Sequence, residues 1–291
     1  MRKPAAAKRQ SDKAYNGGQF AMATPAAAAS AAEPRVHKMG PGIVCKTDTK
    51  GLPRPSNRSP AEIVVDASKG FIPLWAKDVT LRWRFQEQSM AVFQNPDAAK
   101  EGIKKLFGDA LVAWGNAVPV KFTQRDDAWD FEIVMQASDD CDPNGCVLAS
   151  AYFPDGGRHE LVLYPKLFTQ SPQEQMETLC HEIGHIFGLR HFFANVSETA
   201  WRSEIFGTHV PFSIMNYGVN SVLTENDRTD LQRLYALVWS GQLTKINGTP
   251  IKMVQPFSAT AGNQFVMAYA AASTAKRRSG CCCCCGGDQP L

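Results

Sequence analysis

From Thr80 to Phe85 the chain reads Thr-Leu-Arg-Trp-Arg-Phe, apolar and polar residues alternating with the period of a strand that buries one face. The period then lengthens to that of a helix. Ile103, Leu106, Phe107, Ala110, Leu111 and Trp114 share one broad face, and Asn95 followed by Pro96 supplies an N-cap and a first helical residue. Four further strands are predicted at residues 120–124, 130–135, 147–153 and 161–164, where short apolar runs are bounded by turn residues. Their order in a sheet depends on long-range contacts that the pattern does not encode. Ser171-Pro172-Gln173-Glu174 is a capping box with proline at the first helical position, and Met176, Leu179, Cys180, Ile183 and Phe187 form the apolar stripe of the helix it starts. A last helix begins at the box Thr224-Glu225-Asn226-Asp227 and buries Leu231, Leu234, Tyr235 and Val238. Strands and helices in this succession predict an α+β domain.

The pattern fades towards both ends, which divides the chain into three parts. Residues 1–74 read as an N-terminal leader: 1–35 carry Lys, Arg and Ala without periodicity and are expected to be disordered, while the Pro- and Gly-rich 36–74 lie extended on the domain that follows. Residues 75–240 form the domain, and 241–291 a low-complexity tail with five consecutive cysteines, Cys281 to Cys285. No signal peptide is read, because Pro25 interrupts the Ala-rich run and mostly polar residues precede it. Composition adds exclusions. A chain of 291 residues, 44% hydrophobic and 20% charged, can bury one sizeable core. Its net charge of +3 is small and its cations gather at the ends, so no nucleic-acid partner is expected. No run of 18 apolar residues exists, so no transmembrane helix is expected. Away from the terminal run only Cys45, Cys141, Cys146 and Cys180 remain. Cys141 and Cys146 bracket Asp142-Pro143-Asn144-Gly145, a turn sequence able to bring them within bridging distance. Cys180, on the apolar stripe, reads as a small buried hydrophobe.

The candidate chemistry lies at the end of the second helix, in His181-Glu182-Ile183-Gly184-His185-Ile186-Phe187-Gly188-Leu189-Arg190-His191. His181 and His185, four apart, project from one helical face. They stand off the apolar stripe, on a face expected to look into a groove. Gly188 can take the left-handed conformation that ends a helix, so the chain doubles back and His191 supplies a third nitrogen. Three neutral imidazoles leave a tetrahedral zinc one position for a water acidified toward neutrality. Glu182, beside the first ligand, is the candidate general base. Five fixed positions match a chain of this length by chance with a probability on the order of 10⁻⁴.

These residues, with Ser213-Ile214-Met215-Asn216-Tyr217-Gly218 further on, resemble the metzincin metalloendopeptidases, and most closely the matrixins, over roughly residues 75–240. His181, Glu182, His185, Gly188 and His191 fill the five positions of the HExxHxxGxxH motif, and Met215 fills the Met-turn. The resemblance implies a zincin fold, a twisted mixed five-stranded sheet with three main helices and an active-site cleft between an upper and a small lower subdomain. It also implies one catalytic zinc, protein or peptide substrates and a secreted or extracellular setting. Residues 148–154 are similar to the edge strand on which substrate lies, and 223–235 to the family's closing helix. The wall of the specificity pocket falls at 210–217. Tyr217 is similar instead to the tyrosine of astacins and serralysins, whose phenol approaches the zinc or the oxyanion, and is a second candidate catalytic residue. Phe192 follows the third ligand, where each subfamily has its own residue. Matrixins hold a structural zinc mainly through histidines, but Ser150 stands at the edge-strand position and His159 alone cannot make the site, so no structural zinc is expected.

Zinc-dependent hydrolysis of internal peptide bonds is the function this predicts. The alternative is a zincin-fold module that binds a peptide without cleaving it, against which Glu182 speaks. Asp140-Cys141-Asp142-Pro143-Asn144-Gly145 opens like a calcium loop, yet Ala151 stands where a bidentate Glu is needed, so a polar turn is the plainer reading. Cys45 precedes the domain as a matrixin pro-segment cysteine would, without that family's latency motif around it. Cys281 to Cys285 beside Lys276, Arg277 and Arg278 resemble an acylation site with a basic patch, which would allow membrane association.

Overall fold

The computed structural model describes residues 18–23, 42–43, 63–66, 70–142, 145–191, 203–206, 213–215 and 221–260. β1 (Gly42–Ile43), β2 (Ile63–Asp66), β3 (Ile72–Trp75) and β4 (Thr80–Phe85) lead to a short helix α1 (Glu87–Met90) and a long α2 (Pro96–Trp114). β5 (Lys121–Gln124), β6 (Phe131–Met135), the hairpin β7 (Asp140–Asp142) and β8 (Gly145–Val147), β9 (Ala149–Ser150) and β10 (His159–Leu163) follow. The chain continues through α3 (Pro172–Ile186), β11 (Leu189–Arg190), β12 (Ser203–Phe206), α4 (Glu225–Trp239), β13 (Lys245–Ile246) and β14 (Thr249–Val254).

The central sheet is five-stranded, in the order β5-β4-β6-β10-β9. Its first four strands are parallel and β9 runs antiparallel to β10, so the sheet is mixed. Parallel neighbours need a crossover, which α2 supplies between β4 and β5. The alternation in β4 places Leu81, Trp83 and Phe85 in the core, while Arg84 opposes Glu132 in register and reaches its carboxylate at 2.9 Å. On the inner face Phe107 of α2 packs edge-on to Trp83 and Phe122. Each such buried side chain contributes about 1.5–3 kcal/mol by leaving water. β6 is buried at every residue, as expected of a central parallel strand covered on both sides. The strand expected at 147–153 is realised as β8 and β9 with a break at Leu148, and the one expected at 161–164 begins earlier, at His159.

Two expectations about the ends are corrected. Residues 1–35 do not pack as a whole in the sequence reading, yet Phe20 is only 8% exposed, its ring stacked on Phe168 at 4.3 Å. One aromatic among Gly, Gln and Ala has no periodicity to reveal it. The tail expected from 241 instead continues the fold, since β13 and β14 form a hairpin and β14 runs parallel to β3. The Asn247-Gly248 turn has φ of 49° and 86°, the left-handed pair that a two-residue hairpin loop demands. Beyond it, Ser258 donates to the Asp130 carboxylate through its N–H at 2.6 Å and its hydroxyl at 3.0 Å. At the other end, β2 sits between β11 and β12, antiparallel to both. The leader thus completes a sheet beside the end of α3.

Candidate functional site

α3 starts as its sequence directs: Ser171 Oγ accepts from Glu174 N–H at 3.3 Å and the Glu174 carboxylate accepts from Ser171 N–H at 3.2 Å. Its far end is held by long-range donors. The last carbonyls of a helix lack intrahelical partners. Here the Trp75 indole donates to Ile186 O at 2.7 Å and the Tyr235 hydroxyl to Phe187 O at 3.1 Å. Gly188, at φ +91°, then turns the chain, and Leu189-Arg190 pairs with β2 so that His191 faces back.

The three imidazoles meet. His181 Nδ1 lies 2.8 Å from Ile214 O and His185 Nδ1 lies 2.7 Å from Leu189 O. Carbonyls only accept, so in the neutral rings each Nδ1 donates and each Nε2 keeps its lone pair. His181 Nε2 is 2.9 Å from His191 Nε2 and 3.1 Å from His185 Nε2. The lone pairs of His181 and His185, with no proton between them, repel; a cation at the focus of the three rings is what the donor set fits. A tetrahedral zinc with bonds of about 2.0–2.1 Å sets its nitrogens about 3.3 Å apart, close to this spacing. Among the described residues this is the one group of three or more such side chains that could hold a metal ion.

His181, His185 and His191 are 0% exposed and Glu182 is 1% exposed. Backbone at Leu189 and Ile214 covers the Nδ1 edges of two of the rings. Beneath the site Gly184 makes room for Met215, since a Cβ there would come within 2.5 Å of Met215 Sδ. The turn at Met215 is fastened by Asp227, a contact the sequence reading misses. Asp227 takes hydrogen bonds from Ser213 Oγ (2.5 Å), Ile214 N–H (3.5 Å), Thr224 N–H (2.7 Å) and Thr224 Oγ1 (2.7 Å). The one signal for it was the aspartate in the α4 capping box.

β9 is the terminal strand of the sheet, and just beyond it Phe153 sets its ring edge-on to His185 at 5.5 Å. The expected edge strand therefore lies beside the histidines. Ser150 is buried within it, and His159 stacks on Tyr152 at 4.4 Å. Cys141 and Cys146 form a disulfide across the β7–β8 hairpin, where Asp142 Oδ1 accepts from Gly145 N–H at 3.0 Å. Tyr217, Phe192, Cys45 and Cys281 to Cys285 lie outside the described residues, as does most of the 210–217 wall.

Cys180 is buried on the helix stripe, and burial pushes its thiol up to about 12, with Glu177 adding repulsion. The thiolate is the reactive form. Cys180 should therefore resist iodoacetamide at pH 8 in the folded protein and react at least about tenfold faster in urea, as read by peptide mass mapping.

The matrixin family matches residues 74–236. Stromelysin-3 of Rattus norvegicus is 26% identical over 180 residues, covering 58% of this chain and 34% of that protein. Metalloendoproteinase 4-MMP of Arabidopsis thaliana is 25% identical over 193 residues, covering 55% of this chain and 54% of that protein. The chain thus spans about a third and about half the length of these curated relatives. Among solved structures, myroilysin is similar with a TM-score of 0.40 and 14% identity, over 59% of this chain and 98% of that one. High choriolytic enzyme 1, a hatching enzyme zinc-protease from Oryzias latipes (medaka fish), is similar with a TM-score of 0.35 and 14% identity, over 59% of this chain and 92% of that one. The matched span takes in more than half of the 291 residues, including the three converging histidines and the Met215 turn, and the chain belongs to the matrixin family.

Proposed function

We propose that this protein is a zinc-dependent metalloendopeptidase in which His181, His185 and His191 hold the zinc and Glu182 is the general base and acid. The observation that carries this reading is the convergence of three buried Nε2 atoms, two of them oriented by backbone carbonyls. Zinc, when bound, supplies Lewis acidity and a water acidified toward neutrality. Glu182 takes a proton from the attacking water and delivers it to the departing amine. An extended peptide pairs its backbone with the outer edge of β9 and the residues that follow, a mode that gives affinity without demanding one sequence. Tyr217 is proposed, on its sequence position alone, to approach the zinc or to donate a hydrogen bond from its phenol to the oxyanion that develops on the scissile carbonyl, keeping its proton. The unit that performs this is residues 75–240 together with β2, β3 and β14, which pair onto it.

Zinc titration of the full chain tests the ligand set. One zinc should bind per chain, a hydroxamate should compete at the position left for water, and His191→Ala should weaken zinc by tenfold or more, about 1.4 kcal/mol. Unchanged affinity in that variant places the third ligand elsewhere. Zinc binding with no hydroxamate competition favours a closed, structural site.

A further inference from the structure

The corner where α1 runs into α2 holds a short piece of the chain's own N-terminus, which the chemistry at the histidines does not use. Gly18 to Ala23 lie there, with Met22 bridged antiparallel to Phe93. Ala23 N–H donates to Val92 O at 2.7 Å and Gln94 N–H to Ala21 O at 2.8 Å. Two amide side chains extend the ladder: Gln19 Nε2 donates to Ala98 O at 2.9 Å and Gln94 Nε2 to Met22 O at 3.0 Å. Phe20 stacks on Phe168 at 4.3 Å and packs against Phe93 at 6.2 Å, and Phe93 meets Phe168 edge-on at 5.7 Å. The floor is Gly102 of α2, where a Cβ would come within 2.6 Å of Phe20 Cζ and 2.7 Å of Gln19 Nε2. A cavity of about 160 Å³ continues beside Phe20, between Leu106 and Met176.

We propose that this corner is a peptide-binding slot, separate from the histidine site, which selects an extended uncharged segment bearing an aromatic side chain and is occupied in cis by residues 18–23. It combines the two devices of strand-addition recognition: a backbone ladder that gives affinity and a side-chain pocket that gives selection. A glycine inside a helix costs about 0.5–1 kcal/mol relative to alanine. At position 102 that cost leaves the room that Phe20 fills. One buried ring and four hydrogen bonds between the segment and the corner make a weak association for separate molecules. Tethering, with an effective concentration of about millimolar, keeps the slot filled. A cut in the chain between Ala23 and β1 therefore empties it and frees it for another segment of the same chemistry.

Amide hydrogen exchange on the full chain tests this. In the unaltered protein the Ala23 and Gln94 amides exchange at least about tenfold more slowly than unstructured chain. Phe20→Ala and, separately, Gly102→Leu accelerate both by about tenfold or more while the amides of β6 and α3 keep their rates. Leucine is the better helix former, so a weakened α2 does not account for the second result. A synthetic peptide of residues 17–24, at millimolar concentration, restores protection at Gln94 in the Phe20→Ala protein. The same peptide with alanine in place of phenylalanine does not. Unchanged exchange in both variants, or no restoration by the peptide, overturns the proposal. Zinc content and peptide cleavage do not enter these readouts, so their outcome leaves the slot's test unaffected.

Discussion

Glu182→Gln is expected to slow peptide cleavage by about 10²–10⁴-fold, the usual loss when a general base is removed, with zinc content unchanged. The substitution preserves size and one carbonyl acceptor but removes the group that can carry a proton. Glu182 stands between two proposed ligands on α3 and is 1% exposed, so a neutral amide there also relieves the burial of a charge. Thermal stability should therefore be held or raised, which separates lost chemistry from lost fold. The measurement is cleavage of an unstructured peptide pool, with metal analysis and a melting curve on the same preparations. Turnover within about tenfold of the unaltered protein would sink the assignment of Glu182 as general base. Zinc lost along with turnover would make Glu182 a ligand instead.

Asp227→Asn should be nearly as damaging, although the residue is absent from the HExxHxxGxxH motif. All four of its partners donate, two of them from Thr224 at the start of α4 and two from Ser213 and Ile214 in the Met215 turn. A carboxylate can accept all four. An amide keeps one acceptor oxygen; its NH₂ faces either the Ile214 and Thr224 N–H groups, which have no lone pair to offer, or the Ser213 hydroxyl, which must turn from donor to acceptor, so buried donors are left unmade at a cost of about 1–3 kcal/mol or a hydrogen bond to a charged acceptor is given up. The loosened turn carries Ile214, whose carbonyl accepts from His181 Nδ1 and so orients that ring. Substitutions of groups that orient a ligand typically lower metal affinity by about 10–100-fold. Chelator competition should show that loss in Asp227→Asn and a smaller one in Ser213→Ala, which removes a single donor. If the melting temperature of Asp227→Asn drops while zinc affinity holds, the network supports the fold but does not orient His181.

Local and distant contacts were not equally legible. The starts of α2, α3 and α4 are readable because each cap is a contact between residues three apart, and all three caps form as their sequences direct. Spacing alone likewise brings His181 and His185 to one face and lets Gly188 return the chain to His191. The order of the strands was not readable from their pattern, although the family resemblance marked 148–154 as the edge, nor was the docking of β14 on β3. Each depends on pairing between segments whose own patterns are compatible with several partners. The hairpin at Asn247-Gly248 carried a local signal that lay hidden behind an otherwise weak pattern. Phe20 carried none.

What the sequence determined by itself is the chemistry: three imidazoles, one carboxylate and the helix and turn that space them, all within eleven residues where the helical repeat dictates geometry. What only the tertiary structure decided is how that chemistry is held. Trp75 and Tyr235 close the end of α3, Gly184 makes room for Met215, and Asp227 secures the carbonyl that orients His181. The burial of the whole group belongs with these. Such contacts join residues 13 to 111 positions apart, and no local pattern records them, because a buried donor needs a partner of the right kind and not one at a particular distance along the chain.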